Sequence, residues 1–279
     1  MIRIVSDTST MYSSAEAKAA GFTVSPLAVT INEKSYKELD EITSEAFVAQ
    51  IHAGHMPHSS QPSIGDVMDV YQSFAGDEIL NIAMADGLSG TYSSAVAAAA
   101  SCKNAQDITV INSRTLCGPH RYMVEQATLM AAHGKDRAYI LEKVAWLINN
   151  NISFLIPSDF DYLRRGGRLS PLVSLVGKTI KLAPVLTQST DGGQLVMSGV
   201  KRSFKQAVMH VIKMLGEHQV GAGWRIYITH ADALEKAESA RSMLKEHVPG
   251  AELEIFPLTP AFITQGGPGC VAIQAIKTI

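Results

Sequence analysis

The sequence predicts an α/β fold in two domains, and two observations support this class. In the first half of the chain, short runs rich in Ile, Val and Leu alternate with stretches that favour helices. Such alternation is typical of βαβ units and a mostly parallel sheet, a Rossmann-like arrangement with flanking helices. After residues 149–151, which are all asparagine, the pattern changes to short strands and a hairpin turn, as in a mixed sheet. We therefore expect domains at 1–151 and 152–279.

The elements of the first domain follow from apolar periodicity and turn residues. Its predicted strands cover residues 3–6, 23–31, 78–84 and 108–111. Its predicted helices cover residues 44–53, 65–74, 91–102, 119–133 and 137–150.

The second domain has its own pattern of short apolar runs. Its predicted strands cover 154–157, 184–187, 194–200, 225–229 and 252–258, and its helices 205–216 and 233–247. The turn Asp191-Gly192-Gly193 predicts a hairpin, and Ser170 followed by Pro171 is typical of a helix start.

Composition excludes some classes of function. The chain has 279 residues, 46% of them hydrophobic, and a net charge of −2. It lacks the basic stripe of nucleic-acid-binding proteins and an apolar run long enough to span a membrane. Its first residues resemble a strand and a polar turn, so we expect no signal peptide. Cys102, Cys117 and Cys270 show no metal-binding spacing, so we expect a cytoplasmic protein without metal or disulfide framework.

Three histidines precede a pair of serines in the stretch 52–66. His52, His55 and His58 would share one face only if the preceding helix continued. Gly54 and Pro57 favour a helix end instead, which makes a metal site the weaker interpretation.

The stretch NIAMADGLSGTYSSAVAAAA runs from a buried strand through a turn into a helix. Ser89 occupies the expected N-cap position. The N–H groups of Gly90, Thr91 and Tyr92, with the Ser89 and Thr91 hydroxyls, would suit an anion. Ordinary helix capping explains the same residues equally well.

Two enzyme classes are alternatives. Gly87-Leu88-Ser89-Gly90 nearly matches the nucleophile elbow of serine hydrolases, with the second glycine misplaced by one residue. Ser89 would then be the nucleophile acting on a lipid ester, with His230 and Asp232 or Asp159 as partners.

Phosphotransfer is the other alternative. Gly177-Lys178-Thr179 is similar to the end of a P-loop, but Leu172 stands where its first glycine belongs. The basic glycine turn around Arg164, Arg165 and Arg168 could hold a phosphate.

Several stretches together resemble the DegV family of bacterial fatty-acid-binding proteins. They are IVSDTST at the N-terminus, SSQPS at 59–63, LSGTYSSA at 88–95, YLRRGGRLS at 162–170, VKRSFKQA at 200–207, THADALEKAE at 229–238 and GGPG at 266–269. They span nearly the whole chain in the family's order.

The resemblance implies a non-enzymatic carrier without a cofactor. Its ligand is a long-chain fatty acid in a tunnel between the two domains. By position, the carboxylate ligands are Ser59, where the family usually has Thr, and Ser89. Gly90, Thr91 and Ser60 adjoin these two serines.

The resemblance also implies a partner, a separate fatty-acid kinase that makes acyl phosphate for phospholipid synthesis. Arg168 lies in a stretch implicated near the carboxylate, and Lys201 and Arg202 in one implicated at the kinase. Gln265, a further candidate ligand, stands where the family often has a histidine. Ala183 replaces a lysine, and residues 85–86 replace two serines.

Overall fold

The computed structural model describes residues 1–168, 182–189 and 192–279. Its contacts divide the chain into two compact units, Met1–Asn149 with Thr259–Ala261, and Asn150–Leu258 with Phe262–Ile279. The sequence-based limits 1–151 and 152–279 stay our proposed domain division.

Three predictions from the sequence concern residues that the structure does not describe. The helix start at Ser170-Pro171, the Gly177-Lys178-Thr179 stretch and Asp191 of the hairpin turn lie outside the described residues.

Short strands and helices alternate along the described chain. The strands are β1 (Ile2–Asp7), β2 (Thr23–Ser25), β3 (Ala28–Ile31), β4 (Lys34–Lys37), β5 (His58–Ser60), β6 (Glu78–Ala83), β7 (Ile108–Asn112), β8 (Asn151–Ile156), β9 (Ala183–Gln188), β10 (Leu195–Lys201), β11 (Trp224–His230), β12 (Glu252–Pro257) and β13 (Val271–Lys277). The helices are α1 (Ser14–Ala19), α2 (Ser44–His52), α3 (Ile64–Ser73), α4 (Thr91–Ser101), α5 (Cys117–Ala132), α6 (Arg137–Ile148), α7 (Phe160–Gly166), α8 (Phe204–Glu217), α9 (Leu234–His247) and α10 (Pro260–Gly266).

The first unit is built on a parallel sheet in the order β2-β1-β6-β7. Successive strand residues point to opposite faces, so Ile4 packs with α1, α5 and α6, whereas Val5 packs with α3 and α4. Because both faces are covered, β6 is buried over nearly its full length. The predicted parallel sheet with flanking helices is confirmed.

A second, antiparallel sheet in this unit has the order β4-β3-β5. The sequence predicted one strand over 23–31, and this was wrong. The chain forms β2 and β3 in two different sheets, with Pro26 between them. Proline has no backbone N–H to donate to a ladder, which favours a break at this point.

The second unit is built on a mixed sheet in the order β10-β9-β8-β13-β11-β12. Only β11 and β12 among its paired strands run parallel, within the described residues. Helices α8 and α9 cover the sheet, and α8 buries Val208, Val211, Ile212 and Leu215 at helical spacing. The predicted mixed sheet is confirmed, but its central strand β13 was not predicted.

Candidate ligand-binding site

The turn between β6 and α4 holds the serine predicted as an anion ligand. The N–H groups of Leu88 and Ser89 both donate to the Ala85 carbonyl, each at 3.2 Å. This closed turn delays the helix by one residue, so Gly90 and not Ser89 is the N-cap, without a side-chain cap. The predicted N-cap was therefore wrong.

Ser89 instead bonds to Thr91. Its Oγ accepts from the Thr91 N–H at 3.3 Å and lies 2.8 Å from the Thr91 Oγ1. The Thr91 N–H is thus already used, which removes one of the three backbone donors predicted for an anion. When Thr91 is the donor between the two hydroxyls, the Ser89 proton stays available for another acceptor, because a hydroxyl donates once and accepts twice.

The predicted pair of serines, Ser59 and Ser60, lies in β5. Ser59 is half-buried and pairs with Val29 of β3, while Ser60 is exposed. The chain continues into Gln61, whose carboxamide covers Gly90. A Cβ placed on Gly90 would lie only 2.9 Å from the Gln61 side-chain carbonyl carbon. The structure therefore brings the Ser59–Gln61 stretch against the Ser89–Thr91 turn, a contact that the sequence analysis did not predict.

The histidines before this serine pair belong to separate elements. His52 ends α2, Gly54 follows with φ of +96°, and His58 opens β5. No group of three or more His, Cys, Asp and Glu side chains suitable for a metal occurs among the described residues.

A buried polar cluster lies behind the turn. The Asp7 carboxylate accepts from the N–H groups of Ser9, at 2.9 Å, and Met84, at 3.0 Å. Ser9 Oγ lies 2.5 Å from His120 Nδ1, and His120 Nε2 lies 2.9 Å from the Ile82 carbonyl. Burial lowers the pKa of His120. Ser9 and His120 are both fully buried. Through them, β6 and the segment that follows β1 are bonded to α5.

Glu38 is a second buried group that the sequence analysis missed. Its carboxylate accepts from the Thr8 hydroxyl at 2.5 Å and from the Ala261 N–H at 2.8 Å. Burial raises the pKa of Glu38 to about 7, although these hydrogen bonds oppose the shift. Glu38 thereby bonds the segment Thr259–Ala261, which includes the first two residues of α10, to the rest of the first unit.

The proposed partners of a catalytic Ser89 have local structural roles. His230 Nδ1 accepts from the Ala233 N–H at 3.3 Å, and the Asp159 carboxylate caps α7 at the Asp161 N–H, at 2.8 Å. Ser89 itself bonds to Thr91 and to no histidine within the described residues.

The remaining predicted site residues lie in the second unit. The Arg168 carbonyl accepts from the Leu195 N–H at 3.0 Å. Lys201 ends β10, and the Arg202 N–H donates to Gln206 Oε1 at 3.1 Å. Gln265 is half-buried in α10.

The glycines after Gln265 allow side chains to approach the backbone closely. A Cβ on Gly267 would lie 2.6 Å from the Tyr162 ring, and one on Gly269 would lie 2.7 Å from Ser158 Oγ. Both glycines have positive φ, of +72° and +86°. At Gly267 and Gly269, protein side chains therefore occupy the space beside the backbone.

These features define a two-unit α/β protein whose first unit carries a hydroxyl-lined helix start, at Ser89 and Thr91, beside the pair of serines in β5. The DegV family model, described as an uncharacterised protein family, matches residues 1–278. The chain therefore belongs to the DegV family, as the resemblance predicted.

Relatives agree with this assignment. A DegV domain-containing protein of Staphylococcus aureus (strain N315) is 27% identical over 280 residues, covering 98% of each chain. A DegV domain-containing protein of Lactococcus lactis is 27% identical over 282 residues, covering 99% of this chain and 97% of its own.

Solved structures show the same fold. A fatty-acid-binding DegV protein from Thermus thermophilus has a TM-score of 0.89 at 24% identity, and one from Bacillus subtilis a TM-score of 0.87 at 24% identity. Each comparison covers 99% of both chains. A DegV protein from Eubacterium eligens, loaded with heptadecanoic acid, has a TM-score of 0.84 at 20% identity over 100% of both chains.

Within the described residues, no helix of this chain has the length and apolarity of a membrane span.

Proposed function

We propose that this protein is a non-enzymatic carrier that binds one long-chain fatty acid and uses no cofactor. The observation that carries the proposal is the contact of Gln61 with Gly90, because it places the Ser59 stretch beside the Ser89 turn. Family membership supports it, since the DegV proteins of Thermus thermophilus and Bacillus subtilis are described as fatty-acid-binding proteins.

The carboxylate would be held mainly by two hydroxyls, those of Ser59 and Ser89. Ser89 accepts from the Thr91 N–H, and such a bond polarises a hydroxyl toward donation. Gly90 has no side chain, which lets Gln61 pack over the start of α4, and the dipole of this helix favours negative charge there. A carboxylate bound by neutral donors needs several of them, and Ser60 is a further candidate.

Four polar residues complete the proposed ligand and partner contacts. Arg168 and Gln265 are candidate carboxylate ligands through the family resemblance. Lys201 and Arg202 are the proposed contacts for a separate fatty-acid kinase, which would convert the bound acid to acyl phosphate for phospholipid synthesis. The cysteine pattern supports a cytoplasmic location for this role.

Affinity would come chiefly from the acyl tail. Burial is worth ~0.8 kcal/mol per CH₂, so about fourteen methylenes give ~11 kcal/mol before ordering costs are subtracted. The hydroxyls then mainly determine position and polarity. In the tunnel that the resemblance implies, the tail would lie in apolar surroundings.

The test is direct binding of a fatty acid to variants of the two serines. Ser89→Ala should weaken binding about tenfold, because a hydrogen bond to a charged group is worth roughly 1.5 kcal/mol. Ser93→Ala is the matched control, since Ser93 is exposed on the same helix and should leave affinity unchanged. Ser59→Thr keeps a hydroxyl and should bind the fatty acid with the affinity of the parent. Ser59→Ala lacks the hydroxyl and should bind it more weakly than the parent does. Equal affinity of Ser89→Ala and Ser93→Ala would remove Ser89 from the site.

A further inference from the structure

The second unit contains an open cavity of about 310 Å³ that the proposed fatty-acid site does not use. Its polar lining comes from Ser158, Arg202, Ser203 and Lys236, and its apolar lining includes Ile156 and Phe204. We call it the basic cavity. Arg202 reaches it because β10, which ends at the preceding residue, pairs with the first residues of β9.

Among the described residues, no negative charge compensates the positive charge of the basic cavity. Arg202 and Lys236 line it, no carboxylate does, and neither cation forms an ion pair within the described residues. The stretches outside the described residues, 169–181 and 190–191, contain one acidic residue, Asp191. Two positive charges that share one concave surface without a counterion favour an anion there.

Two further features prepare the basic cavity for an anion. Lys236 Nζ is held in place by donation to Ser158 Oγ and to the Gly269 carbonyl, both at 3.0 Å, and it lies 5.9 Å from the centre of the Phe204 ring. The 14-residue helix α8 begins at this wall, with Ser203 as its N-cap. The first N–H groups of a helix have no acceptor within it and point toward an approaching anion.

We propose that the basic cavity binds the phosphoryl group of a small organic phosphate, with the apolar or planar part of the ligand against Phe204 and Ile156. A phosphate monoester carries a charge of about −1.5 to −2 near neutral pH, which matches the two cations better than a single carboxylate does. Guanidinium, ammonium and helix N–H groups are its usual ligands. The volume suits a ligand larger than inorganic phosphate, at the lower limit of small-molecule sites, roughly 300 Å³.

The experiment is a titration of the full-length protein with phenyl phosphate, followed by ¹H–¹⁵N NMR at the amides of Phe204 and Lys205. We expect saturable shifts at both amides that shrink with added salt. Arg202→Gln should weaken binding about tenfold, since it removes one charged hydrogen-bonding partner. Benzoate, with one negative charge on a similar ring, should also bind about tenfold more weakly. Fatty acid plays no part in this readout, so the result stands apart from the proposed carrier function.

Control variants separate a specific site from general attraction to a basic surface. Lys245→Met removes an exposed lysine from the far end of α9 and should leave phenyl phosphate affinity unchanged, whereas Lys236→Gln should lower it. Dispersed spectra would confirm that each variant is folded. The proposal is overturned when the shifts do not saturate, when benzoate binds as tightly as phenyl phosphate, or when Lys245→Met weakens binding as much as Lys236→Gln.

Discussion

The buried carboxylate of Glu38 should make the stability of the first unit depend on pH. Its pKa is raised from 4.5 to about 7 by burial. The folded protein therefore binds this proton more tightly than the unfolded chain does. The stabilising contribution is complete below pH ~4.5 and is lost as the pH rises through about 7.

The size of the effect follows from the pKa difference. One pKa unit corresponds to about 1.36 kcal/mol, so the shift of Glu38 amounts to roughly 3 kcal/mol. Glu38→Gln removes the titration while keeping a side-chain oxygen for the Thr8 hydroxyl. The amide NH₂ of the variant would face the Ala261 N–H, so that hydrogen bond is lost. This loss should lower the free energy of unfolding by ~1 kcal/mol at every pH.

Urea unfolding between pH 4.5 and 8 measures this difference. Fluorescence of Trp146, in a Trp224→Phe background, reports on the first unit alone, because the two tryptophans lie in different units. Burial also lowers the pKa of His120, which gives stability the opposite dependence on pH, but His120 is present in both proteins and its contribution cancels in the comparison. Between pH 4.5 and 8, the free energy of unfolding of the parent should fall by roughly 3 kcal/mol relative to that of Glu38→Gln. Parallel stability curves would refute the reasoning.

Three further predictions concern the turn and the core of the first unit. Gly90→Ala has an allowed backbone conformation, with φ of −72°, so it should change stability by less than ~0.5 kcal/mol yet weaken fatty-acid binding by displacing Gln61. Calorimetric titration of the Gly90→Ala, Gln61→Ala and double variants should show losses of binding free energy that are not additive. Additive losses would mean that the two residues act independently on binding. A fluorophosphonate should not label Ser89, and labelling seen by peptide mass spectrometry would favour the hydrolase alternative. Ile82→Ala should destabilise the first unit by ~2–5 kcal/mol in urea, and a cost under ~1 kcal/mol would contradict its place in the core.

The parallel sheet was predictable because its strands are covered on both faces. Such strands are continuous apolar runs, as in β6, and local composition is enough to recognise them. Strand β13 was missed although it is equally apolar. It follows a cluster of glycines and proline that indicates a loop, and its pairing with β8 depends on residues far away in the chain.

The polar contacts of the site depend even more on distant residues. Ser9 and His120 are 111 positions apart, and Glu38 and Ala261 are 223 positions apart. No local pattern signals such contacts. One signal was available, because a glycine directly after Ser89 is what a side chain needs to pack over the helix start, as Gln61 does.

The N-cap error has a local cause. Serine is a favoured N-cap and glycine a weaker one, so propensity selects Ser89. The two hydrogen bonds to the Ala85 carbonyl extend the turn by one residue and override that preference. The hydroxyl of Ser89 thereby stands just outside the helix.

The carrier function is tested most directly by what the purified protein contains. Protein freshly expressed in bacteria is denatured, extracted with organic solvent and analysed by mass spectrometry, in parallel with Ser89→Ala and Ser93→Ala. We expect about one long-chain fatty acid per chain in the parent and in Ser93→Ala, and clearly less in Ser89→Ala. Extracts without a long-chain acid, combined with no thermal shift when fatty acids are added to the protein, would contradict the proposed function.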